Sequence, residues 1–285
     1  MASSHAQWAP FPHDAKPFDY GGAKLKKHWA RLHRGDCEPY PDEQMLQRLV
    51  KAHPALEPSV ALKTGAKDLQ DAWRAYHRGD FSTAVEQGLS VGRLGYGVAN
   101  KSANIYATYL EKDEDRKRAV LIEAAQRAED IQSCAPNIPN AWYFHAQALG
   151  RYSQAVSVTK ALAEGLGGKI KGSLERTLEL EPGHADANIA LGLYHALVIQ
   201  KMGRTLGALT YGASTQDGLD HFEKALRLNP DSAIARIEYA NGLVIMCGKS
   251  KMPEAIRLYQ EAAAHEPLDA MERLDVELAK AELED

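Results

Sequence analysis

Cysteine is scarce: 285 residues hold only Cys37, Cys134 and Cys247, an odd number set far apart. That excludes a disulfide framework and fits a reducing compartment. An excess of one charge is missing too. The 34 Lys and Arg stand against 38 Asp and Glu, a net charge of −4 with a pI near 6.3. No global basic charge therefore advertises nucleic-acid binding. Long apolar runs are absent; the best candidate, around 187–200, is broken by Asn188 and His195, short of the ~18 apolar residues that mark a membrane span. Met1-Ala2-Ser3-Ser4-His5 has no apolar stretch, so no secretory signal is expected. With 22 Gly and 13 Pro, collagen-like and low-complexity compositions are also excluded. What remains, 45% hydrophobic and 25% charged, describes a soluble, cytoplasmic chain that can bury a core.

What the chain does have is an internal repeat. Four segments ending at Pro136, Pro182, Pro230 and Pro267 share a helical stretch, a proline and a second helical stretch. Five, eight and twelve residues before these prolines stand Ile131, Ala128 and Ala124; Thr177, Leu174 and Ile170; Ala225, Phe222 and Gly218; Ala262, Tyr259 and Ala255. Spacings of four and three put each trio on one helix face, and the residues are small or apolar. The proline then ends the helix. Ten residues after the first three prolines a small residue, Ala146, Gly192 or Ala240, allows close helix approach, and Glu277 breaks the rule in the final unit as a terminal cap would.

These residues resemble the tetratricopeptide family, whose ~34-residue unit pairs two helices, the second carrying A-x3-F-x2-A-x4-P. GLDHFEKALRLNP and AIRLYQEAAAHEP match that half best, and DLQDAWRAYHRGDFSTAVEQGLSV is a looser early copy with Gly79-Asp80-Phe81 at the turn and Ala84 after it. The prolines are spaced by 46, 48 and 37 residues, so the two middle units carry insertions, 151–168 and 201–214, between their helices. Such enlarged units look like the divergent proteins known as regulators of microtubule dynamics, their bacterial members, and the T-component of some TRAP transporters. The resemblance implies an all-α solenoid of helical hairpins. Stacking buries one continuous core, so the chain reads as a single structural domain with an arm over 1–65 and repeats over 66–285.

In the arm, Ala6–Tyr20 holds Trp8, Phe11, Phe18 and Tyr20 among prolines, which predicts an extended segment lying on the array. Residues 22–34 place Leu25, Trp29 and Leu32 on one helix face, ringed by Lys24, Lys26, Lys27, Arg31 and Arg34. That profile suits either a membrane-surface helix or docking on its own domain, and docking is favoured. Asp42 is positioned to cap a further helix, and Asp269 to Glu272 reads as a capping box for the last one. Residues 261–285 hold nine acidic and two basic residues, read as a solvated cap, with self-association as the alternative.

No chemistry stands out. Gly248-Lys249-Ser250 lacks the upstream glycine of a phosphate-binding loop and follows a helix, not a strand. The groups His184, Asp186 and His195, and His28, His33 and Cys37, match no zinc spacing. No strained Ser turn or Cys–His pairing suggests a nucleophile. The chain is therefore expected to be no enzyme and to use no cofactor or metal.

The resemblance offers one site, the groove lined by the first helix of each unit. Family positions place Asn140, Tyr143, Gln147 and Arg151 there, then Asp186, Ile189 and Leu193, then Ile234, Ile237 and Asn241. Tyr143, Ile189 and Ile237 stand where a clamp for acidic tails would need Lys, so that ligand is not expected. The leading expectation is a scaffold that binds a protein or peptide in this groove, without nucleic acid and without a membrane span. The alternative is a small-molecule or lipid binder whose insertions close a cavity. In either case the chain's own arm and insertions are available to fill the groove.

Overall fold

The computed structural model describes residues 8–284; Met1–Gln7, which include the segment read for a leader and the start of the arm, and Asp285 lie outside. By its internal packing the chain forms two units. The first comprises residues 8–33, 38–157 and 269–271, the second 34–37, 158–268 and 272–284. Among the described residues every regular element is a helix.

In the first unit the elements are α1 (Lys24–Leu32), α2 (Glu43–Ala52), α3 (Leu62–Arg78), α4 (Phe81–Ser90), α5 (Tyr96–Tyr109), α6 (Glu114–Cys134) and α7 (Pro139–Gln154). Local signals start and stop them. Asp42 accepts the Met45 N–H at 3.0 Å and Asp113 the Arg116 N–H at 2.9 Å, each satisfying one donor of the first turn. Gly79, at φ +88°, takes the left-handed conformation that closes α3, and Asp80, the next residue of the predicted turn, caps α4. Consecutive helices pack as hairpins, α3 on α4, α5 on α6 and α6 on α7.

The amino-terminal helix docks, as expected. Leu25, Trp29 and Leu32 are all buried while Lys24, Lys26 and Lys27 remain in water. Trp29 also donates its indole N–H to the Glu38 carbonyl at 2.7 Å. Burying three such side chains contributes roughly 1.5–3 kcal/mol each, more than a surface charge arrangement supplies. Apart from a single 3-10 turn at Lys16–Phe18 the described part of the arm is extended, and it lies on α3 and α5. Trp8 stacks on Tyr106 with centroids 3.9 Å apart, the Ala9 N–H reaches the Tyr106 hydroxyl, and Arg74 donates to the Tyr20 and Gly22 carbonyls.

The second unit contains α8 (Val158–Ala163), α9 (Leu166–Leu180), α10 (Ala185–Met202), α11 (Arg204–Tyr211), α12 (Thr215–Leu228), α13 (Ala233–Cys247), α14 (Met252–Ala263) and most of α15 (Ala270–Glu284). The helices before Pro136, Pro182, Pro230 and Pro267 end at Cys134, Leu180, Leu228 and Ala263, so the repeat register holds. The insertions are the short helices α8 and α11.

Phe222 shows why the small residues matter. Its ring is fully buried between α10 and α13, and a Cβ on Gly192 would come within 2.8 Å of it. The other edge of the ring meets Gly242, two residues beyond the alanine that the proline count selects, and a Cβ there would collide with the ring. Around it lie Ile189, Ala196, Ala225, Tyr239, Leu243, Met246 and Leu258. Tyr259 departs from expectation: it is half-buried, with its hydroxyl donating to Asn241 Oδ1 at 2.6 Å, because a phenol needs a partner that the seam interior lacks. The last cap also differs in detail. Glu272 reaches back to the Leu268 N–H at 2.8 Å, and the Asp269 carboxylate meets His77.

Candidate functional site

The family register can now be tested side chain by side chain. In the first unit Asn140 donates to the Glu38 carboxylate and is buried. Tyr143 is only 6% exposed, tilted against Phe144. Gln147 is half-buried and its Oε1 accepts from Asn104 Nδ2 at 3.0 Å, which fixes the amide's orientation. Arg151, also half-buried, lies one turn further on and donates to Gln154. Gln147 and Arg151 thus present oriented polar groups on the same face of α7.

In the second unit the Asp186 N–H donates to the Gly35 carbonyl at 3.0 Å, and its carboxylate packs directly on Gly35. The short segment 34–37 lies there, with Arg34 donating to the Leu228 carbonyl and pairing with Asp231. Ile189 belongs to the core around Phe222, and Leu193 flanks it, partly buried. Ile237 is 2% exposed, packed with Ala262, Val276 and Ala279. It occupies the seam with α14 and α15 and offers no wall to a partner, because the terminal helix covers it. Asn241 is engaged by Tyr259. Ile234 lies partly buried between the two cores. Of the residues that the register selects, Asn140, Tyr143, Ile189 and Ile237 are buried, while Gln147, Arg151, Asp186, Leu193, Ile234 and Asn241 are partly open.

Three of the four histidines singled out by spacing bond to backbone atoms. His184 Nδ1 accepts the Ala187 N–H at 3.0 Å as the cap of α10, and His195 Nδ1 accepts the Ser214 N–H at 3.1 Å. His28 Nδ1 lies 2.9 Å from the Lys24 carbonyl, and His33 stacks on Trp29. Cys37 donates its thiol to the Gly183 carbonyl. Although part of that residue reaches water, loss of hydration around the sulfur and then the carboxylates of Glu181, Asp36 and Asp186 push the thiol up to about 12. It stays protonated at neutral pH. Among the described residues no three His, Cys, Asp or Glu side chains converge as metal ligands do.

Sequence reasoning missed the pairing of His195 with His221, whose rings stack 5.9 Å apart. Burial first, then the neighbouring His221, holds His195 down to about 4; burial also lowers His221, whose Nδ1 lies 3.0 Å from Asn188 Oδ1. Both imidazoles are neutral in the folded chain over pH values where the unfolded chain binds protons. Stability should therefore fall as pH drops from about 6.5 toward 4. Urea titrations across that window should show a steeper acid loss for the native chain than for His195→Gln/His221→Gln. Equal slopes would show that the pair does not carry this linkage.

A sequence model of the family described as regulator of microtubule dynamics protein 1-3 matches residues 96–284. The chain belongs to this family. The match begins at α5, so the arm and α1–α4 of this regulator-of-microtubule-dynamics chain precede it. Among solved structures, the tetratricopeptide protein TTC0263 from Thermus thermophilus is similar over 76% of this chain and 99% of its own, with a TM-score of 0.54 at 16% identity. That likeness establishes a tetratricopeptide-like fold. The MamA protein is similar over 78% of this chain and 96% of its own, with a TM-score of 0.39 at 15% identity. No curated protein sequence gives a significant match. Among the described residues no helix is long and apolar enough to cross a membrane.

Proposed function

We propose that this family member is a non-catalytic protein-interaction scaffold whose α7 face contacts a protein or peptide segment. The observation that supports it most is the presence, one turn apart on α7, of Gln147 and Arg151, partly exposed polar groups at groove positions, with Gln147 held by Asn104. A preorganised amide and guanidinium suit hydrogen bonding to a peptide backbone or carboxylate, since little side-chain entropy is left to lose. The other first-helix positions serve packing. In the second unit Leu193 is the partly open apolar position, a secondary contact of the same kind.

The cavity reading gains no support from the insertions. Helix α8 buries no residue and α11 buries only Gly207, so neither closes over an apolar interior.

Gln147→Ala with Arg151→Ala should reduce capture of the partner by about tenfold or more, the loss of two hydrogen-bonding side chains, while thermal stability stays nearly unchanged. Capture from the host lysate, read by quantitative mass spectrometry against the native chain, measures the first and a melting curve the second. A double variant that keeps every partner removes α7 as the contact face.

A further inference from the structure

Apolar side chains left in water are concentrated on the two insertions. Of the large hydrophobic residues exposed among the described residues, the four most exposed are Leu209 (81%), Leu206 (51%), Leu162 and Val158. Leu206 and Leu209 sit three residues apart on α11, and Val158 and Leu162 four apart on α8, so each pair shares a helix face. Helix α11 is tied down. Lys171 and Tyr194 donate to the Tyr211 carbonyl at 3.3 and 3.4 Å, and Arg204 donates to the Met246 carbonyl at 2.6 Å. The first of these bonds, with the Tyr211 ring against Gly167, joins α11 to the first turns of α9, which follows α8 in the chain.

The charge around the leucines has the opposite sign to the chain. Residues 155–172 and 200–214 carry Lys160, Lys169, Lys171, Lys201 and Arg204 against Glu164 alone, in a chain of net charge −4. Lys160 lies 3.8 Å from Glu164 and Lys171 3.7 Å from Glu175, solvent-facing pairs of little strength. Lys169 and Lys201 are exposed and make no ion pair among the described residues.

We propose that the insertion helices α8 and α11 dock on an anionic lipid surface. Aliphatic tips on short helices, flanked by cations, are what an interfacial element presents: the tips enter the acyl boundary and the cations meet the phosphates. Four side chains on helices of six and eight residues are a small footprint for a stable protein interface, which needs about 800 Å² from each partner. The basic surround selects an anionic occupant. These helices belong to the second unit and α7 to the first, and the two proposals succeed or fail independently.

The test uses the full chain with extruded vesicles of phosphatidylcholine alone, or with about one-third phosphatidylserine. Co-sedimentation should occur with the anionic vesicles and weaken between about 0.1 M and 0.5 M salt. Leu206→Ser/Leu209→Ser should bind at least about tenfold more weakly, because two of the inserted tips are gone. Lys169→Glu/Lys201→Glu should do the same by reversing charge. Both variants should keep native helicity and melting temperature, since all four side chains are exposed. Three results would overturn the proposal: no binding to anionic vesicles, unchanged binding by both variants, or capture of a soluble acidic polypeptide with none of vesicles. If one variant unfolds, the other decides.

Discussion

Phe222→Ala should lower the stability of the second unit by about 3–5 kcal/mol, the largest loss available from one side chain in this core. The ring is completely buried and touches glycines on two different helices, so its removal leaves a void that neither α10 nor α13 can fill. Side chains cannot relax inward from Gly192 or Gly242, which have none. Gly242→Ala attacks the same contact from outside: the new methyl group meets the ring and forces the helices apart, at a cost of about 1–3 kcal/mol. The double variant Phe222→Leu/Gly242→Ala should recover part of that loss, because the smaller side chain makes room. Chemical denaturation of the native chain and these three variants measures the coupling. A Phe222→Ala loss under about 1 kcal/mol would mean that the ring is not the wedge described.

Asp269→Ala should be nearly as damaging, at about 3 kcal/mol, for a polar reason. His77 is completely buried and its Nδ1 lies 2.8 Å from Asp269 Oδ2, with Trp73, Tyr76, Tyr20, Trp29 and His33 packed around the ring. Among the described residues its Nε2 has no hydrogen-bond partner, so the aspartate is the contact that satisfies the imidazole. Deleting it strands a buried donor among aromatic faces. Asp269→Asn retains an acceptor and should cost less than half as much. Replacing both groups, with His77→Phe and Asp269→Leu, should recover stability relative to Asp269→Ala, since an apolar pair leaves nothing unsatisfied. Equal losses for Asp269→Ala and Asp269→Asn would assign the effect to the turn at the start of α15 and not to the buried contact.

What could be read in the sequence was what neighbouring residues decide. Leu25, Trp29 and Leu32 announced the buried stripe of α1, Asp42 its successor's cap, and each proline the end of a helix. Those signals span three or four residues, where helix geometry fixes who meets whom. The family register likewise selected one face each of α7, α10 and α13. It could not reveal what lies on that face. Asn140 is taken by Glu38, 102 residues away, and Ile237 by a terminal helix whose sequence only looked like a cap. Asp269 was legible as a helix-starting residue, but nothing local ties it to His77. His221 carried no motif at all; only folding brings it beside His195.

The contact between His77 and Asp269 also sets a timetable. Repeat arrays can mature from one end, each hairpin closing on the last as it is made. Here 192 residues separate the two partners, and residues 269–271 belong to the first unit. At about 5–20 residues per second, the ribosome leaves His77 waiting roughly 10–40 s for its acceptor. Through that interval a histidine and its surrounding aromatic rings remain incompletely covered in the nascent chain. Chains released before residue 269 should be the ones that chaperones hold and proteases clear, even though α1 to α7 were all finished by residue 154.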